Sequence, residues 1–335
     1  MINFYLILLV QLLINLLFIK KFSKISKLIN IYDIPGERKN HKMPVATLGG
    51  FIFFLNYIYI FFIGNYFHPK LFPTNIVFIT FTSLIFIVGF VDDKINLKVK
   101  LKFPLFISII LIHLFLENKF LINNLDINFL ALEFNFNIFQ SYFFTLLCIL
   151  LFMNASNLYD GINLQFGIYI IVFISYLIYK DPTANYLKLL ILPLIFFIYL
   201  NYLNKCFFGD SGTLFISYFL SFIIINQNQN LNILSVSEIF LLMIIPGLDM
   251  LRLFFKRLLR GKNPFHGDRD HLHHYMIRKF DLVKTNMILI SFTLVPLLFF
   301  NIFSDYLIFI LFLPIFFYIF AFLSIRKLLL NDEKK

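Results

Sequence analysis

A chain of 335 residues in which 60% are hydrophobic and only 14% charged is too apolar for an ordinary water-soluble domain. Its net charge of +11 is spread over separate short segments, with no polar domain to carry a nucleic-acid surface. The two cysteines, Cys148 and Cys206, fall in or beside apolar runs and suggest neither a disulfide framework nor a zinc site.

What remains is an all-α polytopic membrane protein, read as a single domain over 1–335, in which runs of about 20 apolar residues each cross about 30 Å of hydrocarbon. The first run, 2–19, is followed by Lys20 and Lys21 and preceded by no basic residue. That is the reverse of a cleavable signal, so this run is expected to stay as a span with its N-terminus outside. Further runs near 48–64, 75–91, 104–122, 139–155, 162–179, 186–203, 213–226, 237–254, 284–303 and 306–325 bring the expected total to about eleven. An odd number puts the termini on opposite sides. Segments 20–47, 92–103, 204–212, 252–284 and 326–335 then share one side and hold every Lys and Arg except Lys70, Lys119, Lys180 and Lys188. The positive-inside rule makes that side, with the C-terminus, cytoplasmic and leaves the N-terminus periplasmic or extracellular. The 49 phenylalanines read as lipid-facing filler, and with no tryptophan the 17 tyrosines supply most of the interfacial anchoring.

Polar motifs collect at the ends of these spans, all on the expected cytoplasmic side. The first loop, from Asp33 through Arg38 and His41, ends in Gly49-Gly50, a pair suited to close helix packing. Asp92 and Asp93 end the third span. Adjacent carboxylates near a hydrocarbon boundary repel each other, so a cation or a proton is expected there, although a solvated cap would explain them too. Of the following Lys98, Lys100 and Lys102, two are ordinary positive-inside charge. The run from Asn154 to Asn163 contains Asn154, Asn157, Asp160 and Asn163, amides and a carboxylate that can pair with a base edge, ligate a metal or satisfy the helix end. Gly209-Asp210-Ser211-Gly212 places an acid in a glycine-flanked turn before an apolar run, where backbone can approach an anion. Finally, Asp268-Arg269-Asp270-His271-Leu272-His273-His274 holds three of the seven histidines, with His266 close by. Carboxylates, an arginine fork and imidazoles in one basic loop suit phosphates or a metal.

In this order, these segments resemble the polyprenyl-phosphate N-acetylhexosamine-1-phosphate transferases, over nearly the whole chain from Arg38 to His274. The Asp-Arg-x-His-x-His-His ending and the Asp249-x-x-Arg252 lead-in resemble the branch that starts O-antigen, enterobacterial common antigen or teichoic acid. The resemblance implies transfer of a sugar-1-phosphate, first of all N-acetylglucosamine-1-phosphate, from a UDP-N-acetylhexosamine to undecaprenyl phosphate. UMP would be released and a cell-envelope polysaccharide primed at the bacterial cytoplasmic (inner) membrane. Membrane lipids are the other expected partners, nucleic acid is not one, and a homodimer is left open. The implied cofactor is Mg²⁺, with Mn²⁺ as a substitute.

By the same resemblance, Asp210 is a magnesium ligand and Asn157 a second ligand or a pyrophosphate contact. Asp92 and Asp93 lie near the lipid phosphate and metal, and Lys102 meets that phosphate. Asn154, Asp160 and Asn163 belong to the nucleoside side, while Asp268, Arg269, His271, His273 and His274 bind pyrophosphate and sugar. The catalytic set is Asp92, Asp93, Asp210, Arg269 and His271. The chain departs from the common pattern at Asn163, where a second acid is usual, and at Gly267, where proline often precedes Asp-Arg. Two rival classes compete. An intramembrane aspartyl protease would use Asp160 and Asp210, but Phe207 stands where glycine is wanted, and nothing in that class explains the histidines. A transporter would carry its acids near the bilayer midplane, often in repeats, and neither is found here.

Overall fold

The computed structural model describes residues 2–35, 43–67, 75–127, 130–262 and 270–332. It is predominantly helical, as lipid demands: within hydrocarbon, a segment must satisfy its own backbone N–H and C=O groups. Among the described residues the main helices are α1 (Ile2–Lys20), α2 (Phe22–Ile29), α3 (Gly49–Tyr59), α4 (Ile76–Ile95), α5 (Val99–Leu116), α6 (Ile138–Tyr159) and α7 (Gln165–Lys180). They continue with α8 (Asn185–Tyr202), α9 (Gly209–Ile225), α10 (Val236–Leu259), α11 (Leu272–Met276), α12 (Leu282–Ile302) and α13 (Leu307–Asp332). Each of the eleven expected apolar runs therefore has a helical counterpart. Seven are long and apolar enough to cross a membrane as they stand, and α1 with α2, bent by 73°, adds an eighth. The α3 region, extended by a π-helical turn at Ile60–Gly64, and α7 are shorter apolar helices.

Several helix starts are written locally. Asn75 Oδ1 accepts the N–H of Phe78 at 3.1 Å ahead of α4. Asn137 with Gln140, and Ser235 with Glu238, form reciprocal capping boxes ahead of α6 and α10. Asn30 and Asn96 end α2 and α4 in left-handed conformation.

Two compact units divide the chain, neither continuous in sequence. The first comprises Met1–Lys119 and Tyr169–Leu220, the second Phe120–Ile168 and Ser221–Lys335, so α7 and α9 each contribute residues to both. In the first unit α3 and α1 pack against α8, and α4 packs against α5. A buried amide network ties α1, α3 and α8 together. Asn15 and Asn56 exchange hydrogen bonds at 2.7 and 3.1 Å, while Gln11 donates to Asn56 Oδ1 and to the Leu189 carbonyl, each at 3.0 Å. A two-residue ladder pairs β1 (Tyr32–Asp33) with β2 (Val45–Ala46). The chain then lays the start of α3 against the stretch before α9: Phe207 N–H donates to the Ala46 carbonyl, and Gly49 and Gly50 N–H donate to the Phe207 and Phe208 carbonyls, each at 2.9 Å.

In the second unit α10 packs against α6, α12 and α13. The stretch between α5 and α6, ambiguous in the sequence, holds a hairpin of β3 (Asn124–Ile127) and β4 (Leu132–Asn135). The fourth span, expected to run to 122, ends instead at Leu116, where His113 Nε2 meets Glu117 at 3.1 Å and begins a polar cluster.

Candidate active site

In the first unit, the acids of α4 and α9 and a lysine of α5 come together. Gly209-Asp210-Ser211-Gly212, expected as a turn ahead of a helix, is the first turn of α9 itself. A helix start needs an acceptor for its free N–H groups, and none lies in the preceding Phe207-Phe208. Asp93 supplies it from α4: its Oδ1 accepts Asp210 N–H at 2.8 Å and its Oδ2 accepts Ser211 N–H at 3.0 Å. Gly209, at φ +79°, meets both demands of the approach. Its backbone is left-handed, and a Cβ there would stand 2.6 Å from the Asp93 carboxylate. A Cβ on Gly50 would lie 2.3 Å from the nitrogen of Gly212, and one on Gly89 would lie 2.6 Å from the Cα of Ser211. The glycines of three separate sequence motifs thus seat α3, α4 and α9 against one another.

Asp92 turns the other way. Its Oδ1 accepts Leu97 N–H at 2.7 Å, and its Oδ2 pairs with the Lys102 ammonium. The same ammonium pairs with Asp210 Oδ2. One cationic nitrogen therefore bridges two carboxylates from two helices. Asp92 is largely buried, whereas the Asp210 side chain keeps 31% of its surface open. Two hard carboxylate oxygens converging on one cationic point suit a small divalent cation, with Lys102 marking the position.

In the second unit, the Asn154–Asn163 stretch is the end of α6 and the loop after it. Asn154 turns back to donate to the Leu150 carbonyl at 2.7 Å. Asn157 and Asp160 are half-buried at the helix end, where Asp160 N–H donates to the Asn157 carbonyl at 3.3 Å. The Asn163 carbonyl accepts from Asn286 Nδ2 of α12 at 3.0 Å. The histidine cluster packs against this loop, since a Cβ on Gly161 would fall 1.9 Å from His273 Nε2.

His271 and His273 stack nearly parallel with ring centres 5.1 Å apart, and His274 meets His273 edge-on at 4.3 Å. His273 is 1% exposed, and among the described residues its Nε2 has no hydrogen-bond partner. Burial, together with the neighbouring rings of His271 and His274, pushes its pKa well below the ordinary histidine range and keeps it neutral. His274 is half-buried. Beside them, Asp270 pairs with Lys256 of α10 and accepts the Tyr275 hydroxyl. Partial burial pushes its carboxyl up, but those two hydrogen bonds and the nearby Arg252 charge outweigh this and hold it below the usual carboxylate value.

The expected site residues that the structure describes therefore divide between the two units. Asp92, Asp93, Lys102 and Asp210 belong to the first; Asn154, Asn157, Asp160, Asn163, His271, His273 and His274 belong to the second. Asp268 and Arg269 lie outside the described residues, as do Arg38 and His41 of the first loop. Asp249 and Tyr318 are not among the expected site residues, yet both sit against His271 or its partners. An acid and an arginine three residues apart in an apolar run is a usable signal for Asp249, whereas a tyrosine in the last span gives none.

Carboxylates, amides and a histidine cluster thus stand at helix ends of an all-α chain built for a membrane, and its sequence is similar to those of membrane transferases. Residues 75–228 match the model of glycosyl transferase family 4. The match takes in Asp92, Asp93, Lys102, the Asn154–Asn163 stretch and Asp210, and stops short of α10 and the histidines. Among curated proteins, the chain is similar to the undecaprenyl-phosphate alpha-N-acetylglucosaminyl 1-phosphate transferases of Escherichia coli O157:H7 and Salmonella typhi. It is 26% and 28% identical to them over 279 residues, covering 79% of this chain and 74% of each relative. A protein of Bacillus subtilis (strain 168) described as a probable undecaprenyl-phosphate N-acetylglucosaminyl 1-phosphate transferase is 26% identical over 280 residues, 80% of this chain and 75% of that one.

Proposed function

We propose that the chain transfers a sugar-1-phosphate, N-acetylglucosamine-1-phosphate in the first instance, from a UDP-sugar to undecaprenyl phosphate and releases UMP. The observation that carries this reading is the convergence of Asp92 and Asp210 on the Lys102 ammonium, in a chain similar to transferases named for this lipid and sugar. Placement at the cytoplasmic face of a bacterial inner membrane is supported by the basic loops, expected from the sequence on the side of these acids. The polymer primed would be an envelope polysaccharide such as O-antigen or a wall polymer.

The reaction is attack of a lipid phosphate oxygen on the β-phosphorus of the UDP-sugar. Both partners are anionic, so repulsion between them is the main obstacle. Asp210 and Asp92 of the first unit are the residues that would hold Mg²⁺ there. When bound, that ion neutralises and aligns the phosphates. Lys102 is then available to pair with the lipid phosphate, exchanging two carboxylates for a phosphate oxygen. Asp93 keeps Asp210 in register through the start of α9. Asp160 and Asn163, with Asn154 behind them, would take the uridine, while Asp268, Arg269, His271, His273 and His274 would close on pyrophosphate and sugar. A lipid phosphate with its second pKa near 6 is already largely ionised at neutral pH, so these acids position and need not act as bases.

The rival aspartyl-protease chemistry needs a carboxylate pair sharing a proton, and Asp210 instead carries an ammonium partner. The test is Asp210→Ala: UMP release with Mg²⁺ should vanish while the thermal transition of the purified protein persists. Turnover like wild type would remove Asp210 from the metal site.

A further inference from the structure

Asp249, in the middle of α10, is 4% exposed and receives four hydrogen bonds. Its Oδ1 accepts Tyr318 Oη at 2.6 Å, Arg252 Nη2 at 2.9 Å and the backbone N–H of Leu272 at 3.2 Å. Its Oδ2 accepts His271 Nδ1 at 2.6 Å. Four donors fill the accepting capacity of a carboxylate. Three of the four also lock the histidine segment: Leu272 N–H begins α11, Arg252 donates onward to the Asp270 carbonyl at 2.5 Å, and Tyr318 accepts Arg252 Nε at 2.7 Å. The Arg252 guanidinium in turn lies 4.4 Å from the centre of the Phe322 ring.

We infer that Asp249 is a positioning residue, which fixes His271 in its Nδ1–H form and turns Nε2, on the opposite edge of the ring, toward the ligand. A buried carboxylate accepts only; the nitrogen facing it must therefore carry the proton. The Arg252 guanidinium gives the Asp249 carboxylate a cationic partner of its own at 2.9 Å. In the Nδ1–H tautomer the ring offers Nε2 as an acceptor for a hydroxyl or amide hydrogen of the sugar.

Asp249, His271 and His273 bring ligand-type atoms within 4.8 Å of one another, which would also suit a metal. The spacing argues for a proton instead. Two donors on one tetrahedral zinc stand about 3.3 Å apart, given bond lengths of about 2.0–2.1 Å, whereas Asp249 Oδ2 and His271 Nδ1 are 2.6 Å apart. The stacked rings of His271 and His273 do not point at a common centre.

The kinetic part of this inference rests on the proposed transfer reaction, but the tautomer does not. With ¹⁵N-imidazole-labelled histidine in the full-length detergent-solubilised protein, the His271 signals are assigned by their loss in His271→Gln. Wild type should show Nδ1 protonated and Nε2 bare or bonded to ligand, and Asp249→Asn should redistribute the proton between the two nitrogens. A wild-type His271 protonated on Nε2 alone overturns the inference, even if Asp249→Asn fails to fold. In the transfer assay, Asp249→Asn should lower kcat about 10²-fold or more with little change in KM for the lipid, and should add nothing in a His271→Gln background. Multiplicative losses in the double variant would show that Asp249 acts independently of His271. Tyr318→Phe, which leaves the Oδ2 contact intact, should keep the wild-type tautomer. Absence of turnover in wild type would count against the reaction, while the tautomer reading would still decide the role of Asp249.

Discussion

The Asp93 carboxylate accepts the backbone N–H of Asp210 at 2.8 Å across 117 positions of sequence, so the neighbouring acids Asp92 and Asp93 do different work. Asp92 faces a cation, and Asp93 starts a helix. Asp93→Ala should therefore lower stability by about 0.5–2 kcal/mol, the usual range for a lost N-cap. Asp92→Asn should change stability less and turnover more. Thermal unfolding and UMP release measured on both variants check this split; equal stability losses would contradict it.

The glycines divide in the same way. On Gly89 a Cβ would meet the backbone of Ser211 at 2.6 Å and the Asp210 carbonyl at 2.9 Å, and backbone cannot swing aside as a side chain can. Gly89→Ala should push α4 from the start of α9 and reduce turnover at least 10-fold, on the order of a 1–3 kcal/mol overpacking cost. Gly247, inside α10, has open space where a Cβ would stand, with nothing within 4 Å of it among the described residues. Gly247→Ala should leave activity unchanged and raise stability by about 0.5–1 kcal/mol.

Lys102 holds apart two carboxylates that would otherwise repel each other. Lys102→Met should therefore leave the protein less stable in EDTA and raise the gain in thermal stability when Mg²⁺ is added. A ligand at 100 times its Kd contributes about 2.7 kcal/mol. If Mg²⁺ shifts the unfolding temperature of neither protein, the convergent acids do not bind it.

The Asn15–Asn56 pair lies inside the first unit, away from the acids of α4 and α9 in sequence. Asn56→Leu would take away the donor to Asn15 Oδ1 and one acceptor each from the Asn15 and Gln11 amides, which keep the carbonyls of Gln11 and Leu189. The expected loss is about 1–3 kcal/mol for buried polar groups left unsatisfied, with kcat unchanged in the molecules that remain folded. Activity per folded molecule, compared after thermal challenge, checks this.

Much of the architecture was legible because lipid imposes a length on apolar runs. The polar motifs stood out because acids and amides are costly in hydrocarbon, and Gly49-Gly50 could be read as a packing surface. What was not legible is long-range. Nothing near Phe207-Phe208 shows that α9 begins at Gly209, because its cap comes from Asp93 on another helix. Tyr318 is one of 17 tyrosines, and its hydrogen bond to Asp249 follows from how α13 packs on α10. The hairpin at Asn124–Asn135 was hidden because its strands, though they alternate polar and apolar residues, are only four residues long and mostly exposed.

The most direct test is to supply the purified protein with UDP-N-acetylglucosamine labelled in the sugar, undecaprenyl phosphate and Mg²⁺, and to identify the nucleotide released. Sugar-1-phosphate transfer predicts labelled lipid and UMP in equal amounts, with neither formed by Asp210→Ala. Release of UDP would mean that the sugar moved without its phosphate, and no labelled lipid with any UDP-N-acetylhexosamine would mean that the convergent acids serve another reaction.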